Sequence, residues 1–170
     1  MAIAKTFDEL FSAIKLKFLI GKPRGDSKLN GHMNWCYDSL TEVSRSFALV
    51  IQELPESLRD AVCIFYLVLR GLDTVEDDPN IQKDLKMNIL STFASKLDEE
   101  GGFVVPNCGH RDYYVRLMLN FNRVCLEFQN LDQGYKRVIQ KTTEKMGEGM
   151  ILHLEKEGAE TVEEYNLYCH

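Results

Sequence analysis

Apolar residues recur at alternating spacings of three and four along most of this chain, which is the period of a helix with one buried face. The first such run covers residues 40–54 and ends before Pro55, a residue that suits the first position of a following helix. Its apolar positions are Leu40, Val43, Phe47, Val50 and Leu54. The only run with any strand character is a brief apolar stretch at residues 103–105. The pattern therefore predicts an all-α protein.

The second predicted helix is apolar around almost its whole circumference. It covers residues 57–77 and stops before Pro79, because proline disfavours helical geometry at the residue that precedes it. Its most apolar part lies between Val62 and Leu72. A helix without a polar face must contact other helices on every side, so we expect this one at the centre of the fold.

Three further core helices are predicted, and the chain termini add two short ones. The core helices fall within residues 81–97, 114–131 and 135–157, with a glycine-containing loop over 98–110. Residues 1–22 predict a short amphipathic helix, followed by a loop over 21–33. Thr161 and Glu164 form a T-x-x-E capping box that would open a last helix. We expect one domain over residues 1–170, with the terminal helix and loop at 1–33 and the core helices at 34–170.

Composition narrows the possible functions. The chain is 45% hydrophobic and 27% charged, which is typical of a soluble globular protein, and its net charge of -6 argues against nucleic acid as a partner. No signal peptide or membrane span is indicated, because charged residues interrupt the N-terminal apolar run. The cysteines are odd in number and never spaced C-x-x-C, which predicts neither disulfides nor a zinc site and favours a reducing compartment. They are Cys36, Cys63, Cys108, Cys125 and Cys169.

An acidic stripe ends the central helix. Tyr66, Arg70, Asp73 and Asp77 follow one another at steps of four, three and four, which places them on one face, with Glu76 beside it. Carboxylates four apart repel by about 0.2–0.5 kcal/mol, and the helix dipole adds a similar penalty. One interpretation is a salt-bridge cluster with Arg70. The other is a divalent-cation site, because magnesium binds few carboxylates and shares its other positions with substrate phosphates, which an arginine also binds.

Two other local patterns leave alternatives open. Ser44 and Ser46 flank Arg45, which is either a solvated surface or an anion site if that face turns inward. In the last core helix, EKMGEGM places two glycines between Met146 and Met150. An interior glycine costs about 1 kcal/mol relative to alanine. These two therefore indicate close helix packing or room for a ligand beside flexible methionines.

Residues 44–78, which read SRSFALVIQELPESLRDAVCIFYLVLRGLDTVEDD, resemble the N-terminal half of squalene synthases, the farnesyl-diphosphate farnesyltransferases of sterol biosynthesis. The blocks EFQNLDQGYKRVI, EKMGEGM and TVEEYNLYCH agree, and their wording is closest to fungal members. The resemblance spans roughly residues 34–170. It implies an all-α isoprenoid-synthase fold.

The resemblance also implies the chemistry. Two molecules of farnesyl diphosphate condense head to head, with Mg²⁺, to presqualene diphosphate, which is then ionised, rearranged and reduced by NADPH to squalene. The implied location is the cytosolic face of the endoplasmic-reticulum membrane, through a C-terminal anchor that lies outside these residues, and the implied state is a monomer.

Site residues follow from the same resemblance. Asp73, Glu76 and Asp77 match magnesium ligands, and Arg45 and Arg70 match arginines that contact diphosphate or NADPH. Tyr168 matches a tyrosine with a catalytic role in the first half-reaction, and Tyr66 is the second catalytic candidate. The residues that match the lining of the substrate pocket are Ser44, Ser46, Phe47, Tyr66, Met146 and Met150.

The sequence departs from the family pattern in two respects. The family has a second aspartate motif on a later helix, which nothing after Asp78 supplies, and Gly71 stands where alanine is commoner. We therefore expect the N-terminal portion of a squalene synthase. Two alternatives are a phytoene or dehydrosqualene synthase-type prenyltransferase, and a non-catalytic truncated helical fragment, which the end of the chain at His170 favours.

Overall fold

The computed structural model describes residues 31–155, apart from the side chain of Ser57. Within this range the chain forms α-helices and no strand, including at residues 103–105, so the all-α prediction is confirmed. The helices are α1 Gly31–Val43, α2 Arg45–Ile51, α3 Glu56–Asp77, α4 Lys83–Lys96, α5 Asp112–Leu119, α6 Phe121–Asn130 and α7 Gln133–Glu155. None of them is long and apolar enough to cross a membrane. The predicted first and last helices, with Thr161, Glu164 and Tyr168, lie outside the described residues.

The central position predicted for α3 is confirmed. This helix contacts every other helix in the described part of the chain. Ile64, Leu67 and Leu72 are fully buried along it. Its continuous apolar surface is therefore covered from all sides, and α3 forms the axis about which the other helices pack.

The first predicted core helix is wrong in its continuity, because the chain breaks at Ser44. Ser44 has extended backbone angles, φ -159° and ψ 92°, between α1 and α2. The break leaves α2 with Ala48 and Ile51 on its buried side, whereas Phe47 and Val50, predicted to be buried, are 56% and 47% exposed. The start of α1 at Gly31 also lies inside the segment predicted as a loop.

A second predicted helix is broken in the same way. The apolar pattern over residues 114–131 continues through Asn120, where backbone angles of φ -119° and ψ 20° separate α5 from α6. Both helices, α5 and α6, pack against α3.

Glycine permits close contacts on two helices. A Cβ added to Gly71 of α3 would lie 2.5 Å from Cε2 of Phe121, a ring that packs 5.2 Å from the rings of both Phe93 and Phe103. A Cβ added to Gly147 of α7 would lie 2.9 Å from the backbone oxygen of Leu90 in α4. The absence of a side chain at these two positions therefore sets how closely the helices and the aromatic cluster approach one another.

Candidate active site

The stripe predicted on α3 is present. Nη2 of Arg70 donates a hydrogen bond to the hydroxyl of Tyr66 at 3.2 Å, and Nη1 lies 3.7 Å from Oδ2 of Asp73. Asp77 continues the stripe and is exposed, while Glu76 is half-buried beside it. Tyr66, Arg70 and Asp73 are thus in contact with one another at the end of the central helix.

Arg70 is held more tightly than its place on a helix surface would suggest. Its guanidinium carbon lies 5.8 Å from the ring centroid of Tyr66 and 5.7 Å from that of Tyr114, which belongs to α5. Its Nε is buried and has no hydrogen-bond partner. Burial alone would lower the pKa of Arg70, but the hydrogen bond to Tyr66 and the nearby Tyr114 and Asp73 raise it overall. Arg70 is therefore a half-buried, charged side chain with one buried donor that is not hydrogen-bonded.

Phe47 joins this stripe from the neighbouring helix. Its ring centroid lies 5.1 Å from that of Tyr66, although the side chain is 56% exposed. Of the other residues predicted around it, Ser44 is half-buried, while Arg45 and Ser46 are exposed. The break at Ser44 therefore turns the apolar Phe47 outward, next to the polar end of α3, and leaves Arg45 on the surface.

Asp73 is a half-buried carboxylate with a cation, Arg70, on one side and another carboxylate, Asp77, near it. Burial raises the pKa of Asp73; Arg70 opposes this shift and the neighbouring Asp77 adds to it. No group of three or more His, Cys, Asp or Glu side chains within residues 31–155 is arranged to hold a metal. Two carboxylates are nevertheless a suitable protein contribution for magnesium, which keeps waters and substrate phosphates as its remaining ligands. Asp73 and Asp77 fit that requirement.

Asp78 plays a different part from the acids that precede it. It is only 1% exposed, and its two carboxylate oxygens accept hydrogen bonds from the backbone N–H groups of Asn80, at 2.8 Å, and Gly109, at 2.6 Å. Burial would raise the pKa of Asp78, but these two N–H groups and the nearby Lys86 lower it overall. Lys86 in turn donates to the backbone oxygen of Glu76. Asp78 therefore ties the loop before α5 to the end of α3.

The loop that Asp78 holds places Tyr114. A Cβ at Gly109, whose φ is +118°, would lie 2.9 Å from the Cβ of Tyr114, so the loop and α5 are in close contact. The Tyr114 ring also packs against Tyr113 at 4.5 Å and His110 at 5.2 Å. Sequence reasoning missed both Asp78 and Tyr114 as parts of this region. The Asp-Pro-Asn run at a helix end was the available signal for Asp78, since short side chains often accept backbone hydrogen bonds two residues on.

The two methionines predicted to line a pocket both belong to α7. Met150 is buried in the core, and Met146 is half-buried and packs against it. The two glycines beside them have different explanations. Close helix packing accounts for Gly147, whereas nothing lies within 4 Å of a Cβ added at Gly149.

The four cysteines among the described residues are free and buried, as the sequence predicted for a chain without disulfides. Burial raises the pKa of Cys108 to about 12 and that of Cys125 to about 11. They are therefore protonated and inert near neutral pH. Cys169 and Tyr168 lie outside the described residues.

Helices that pack around an apolar central helix ending in carboxylates and an arginine are the arrangement that defines the class of helical isoprenoid synthases. Comparison with known proteins gives the family. The family model described as squalene/phytoene synthase matches residues 40–170, and the chain belongs to this family.

Individual relatives agree with this assignment. The chain is 46% identical to the squalene synthase of Solanum lycopersicum over 99% of its own length and 40% of that protein. It is 43% identical to a protein named inactive squalene synthase 2 from Arabidopsis thaliana, over 96% of its length and 38% of that protein. A solved structure described as the complex of TcSQS with the ligand BPH1237 superposes with a TM-score of 0.78 at 41% identity, over 83% of this chain and 40% of that one. The chain thus spans about 40% of the length of the relatives it matches.

Proposed function

We propose that this chain carries the diphosphate-binding part of a squalene synthase. The reaction is the Mg²⁺-dependent head-to-head condensation of two farnesyl diphosphates to presqualene diphosphate, followed by NADPH-dependent reduction to squalene, in sterol biosynthesis on the cytosolic face of the endoplasmic-reticulum membrane. The observation that carries the proposal is the position of Arg70 at the end of α3, where its guanidinium contacts both the Tyr66 hydroxyl and the Asp73 carboxylate.

Arg70 is the residue we assign to the diphosphate. A phosphate oxygen is an acceptor that suits the planar, always-charged guanidinium group, which can donate two parallel hydrogen bonds to it. The Tyr66 hydroxyl already accepts a hydrogen bond from Nη2 of Arg70, so the other N–H groups of the guanidinium keep a fixed direction. Positive charge at this position stabilises the negative charge that develops as the diphosphate leaves.

Asp73 and Asp77, with Glu76 beside them, are the residues we assign to magnesium. Burial raises the pKa of Asp73, and repulsion from the neighbouring Asp77 carboxylate adds to that increase. Magnesium, when bound, would neutralise the diphosphate. Asp73 also lies 3.7 Å from Arg70, so the residues that would hold metal and diphosphate already adjoin.

The apolar residues around the stripe suit a prenyl chain. Phe47 and Tyr66 present aromatic faces next to Arg70, and aromatic faces stabilise carbocations. We assign Met146 and Met150 to the wall of the prenyl pocket, with Ser44 and Ser46 at its mouth. We further assign the exposed Arg45 to NADPH, and Tyr168 to catalysis of the first half-reaction.

The test is a product assay combined with a binding assay. The purified chain is incubated with farnesyl diphosphate and Mg²⁺, with and without NADPH, and the hydrocarbon and diphosphate products are identified by mass spectrometry. Inorganic pyrophosphate binding in the presence of Mg²⁺ is measured by calorimetry. Arg70→Gln should abolish both, whereas Arg116→Gln removes an exposed arginine that pairs with Glu42 elsewhere on the surface and should change neither. Equal binding by the two variants would refute the assignment of Arg70.

A second candidate is a non-catalytic member of the same family. It is favoured by the similarity to the relative named inactive squalene synthase 2. It predicts that pyrophosphate binds with magnesium but that no product forms. A prenyltransferase of the phytoene or dehydrosqualene type predicts instead a hydrocarbon other than squalene, whether or not NADPH is added.

A further inference from the structure

We infer that Tyr114 is a positioning residue for Arg70, which it clamps against Tyr66 so that the guanidinium is aligned before a diphosphate arrives. The effect on diphosphate binding rests on the proposed function. The contact between Tyr114 and Arg70 does not depend on it. Nothing in the spacing of the sequence links Tyr114 to the acidic stripe, because it belongs to α5 and not to α3.

The geometry is that of a cation between two aromatic rings. The guanidinium carbon of Arg70 lies 5.8 Å from the Tyr66 centroid and 5.7 Å from the Tyr114 centroid, both within the range over which a ring face attracts a cation. Tyr66 is one turn away on the same helix, so that contact forms with the helix itself. Tyr114 adds a second contact that exists only when α5 is docked.

Tyr114 is itself held from three sides. Tyr113 packs edge-on to its ring, His110 packs against it, and Gly109 approaches its Cβ so closely that no side chain would fit there. Asp78 fixes Gly109 through a hydrogen bond of 2.6 Å. The contacts thus run from Asp78, at the end of α3, through the loop to Tyr114, and from Tyr114 back to Arg70 on the same helix.

The consequence is preorganisation. An arginine side chain has several rotatable bonds, and a ligand that must order it loses affinity. With Tyr114 in place, part of that freedom is removed before a ligand arrives, because the guanidinium already contacts two rings. Without Tyr114, the Arg70 side chain loses one of its two ring contacts and can adopt more conformations, so a diphosphate must order it on binding.

The experiment uses the full 170-residue chain and three variants. Tyr114→Leu keeps apolar bulk without a ring face, Tyr114→Phe is the matched control that keeps the ring, and Arg70→Lys identifies the Arg70 signal. Calorimetry measures inorganic pyrophosphate binding with Mg²⁺, and NMR follows the Nε–H resonance of Arg70. We expect Tyr114→Leu to weaken binding about tenfold and Tyr114→Phe to stay within about twofold. We expect the Nε–H resonance to change its chemical shift and to exchange faster with solvent in Tyr114→Leu but not in Tyr114→Phe.

The outcomes separate this inference from the proposed function. If Tyr114→Leu binds as tightly as the unsubstituted chain, or its Nε–H resonance is unchanged, the positioning role is overturned while the diphosphate site stands. If the unsubstituted chain binds no pyrophosphate, the proposed function fails, and the NMR signature alone decides the positioning role. If Tyr114→Leu does not fold, the unsubstituted spectrum decides: a shifted, slowly exchanging Nε–H supports the clamp, and a solvent-like one overturns it.

Discussion

Replacement of Asp78 by asparagine tests whether this acid, unlike Asp73 and Asp77, serves to stabilise the fold. Asn keeps one oxygen for one of the two backbone N–H groups but presents an NH₂ group to the other. The change therefore removes one charge-assisted hydrogen bond and leaves a backbone donor unsatisfied at a residue that is 1% exposed. A hydrogen bond to a charged group is worth about 1.5–3 kcal/mol, and an orphaned buried donor adds to the loss. We expect the free energy of unfolding to fall by about 3 kcal/mol.

The assay is thermal and urea unfolding followed by circular dichroism, with Asp38→Asn on the exposed side of α1 as the matched control. A loss of about 3 kcal/mol corresponds to roughly 6–12 °C in a chain of this size. The effect should depend on pH with a definite sign. Because the pKa of Asp78 is lower in the folded state, its stabilisation is complete above the unfolded value of about 3.9 and is lost as pH falls through the folded value. A melting temperature equal to that of the control, or a difference that persists unchanged in acid, would refute the reasoning.

The remaining predictions concern two helices and the stripe. Gly71→Ala should destabilise the chain by about 1–3 kcal/mol in urea unfolding, because its Cβ would meet a fully buried aromatic ring at 2.5 Å, and wild-type stability would show that the ring can move. Gly147→Ala should also destabilise the chain, since its Cβ would lie 2.9 Å from a backbone oxygen. Gly149→Ala has open space and should stabilise the chain by about 0.5–1 kcal/mol. A more stable Gly147→Ala than Gly149→Ala would contradict the close contact between α7 and α4. Asp77→Asn should lower the pKa of Asp73 in a carbon-13 NMR titration. Magnesium binding should weaken as acid protonates Asp73. An unchanged pKa of Asp73 in Asp77→Asn would show that the two carboxylates do not interact.

The sequence predicted the central helix well because burial on all sides leaves a direct mark on composition. It failed at Ser44 and Asn120 because a helix break can involve a single residue's backbone angles while the apolar period continues on both sides. At Ser44 even the hydrogen bonds continue, since its N–H donates to Leu40 at 2.9 Å and its oxygen accepts from Ala48 at 2.9 Å. Hydrophobic spacing alone cannot register such a break.

The candidate site shows a similar division. The spacing of Tyr66, Arg70 and Asp73 on one helix was sufficient to predict that they meet. It could not separate Asp77 from Asp78, because adjacent acids differ only in what packs over them, and one is exposed while the other is buried. Nor could it find Tyr114, whose contact with Arg70 depends on how a loop and two helices fold together.

The position of α3 has a consequence for synthesis of the chain on the ribosome. This helix is complete at Asp77, but the helix that covers its last face, α7, ends at Glu155. At about 5–20 residues per second, translation of the intervening segment takes roughly 4–16 s. During that interval the central helix is made but not yet covered by all of the described helices that pack against it, so chaperones that bind apolar helices have a defined period in which to act on the nascent chain.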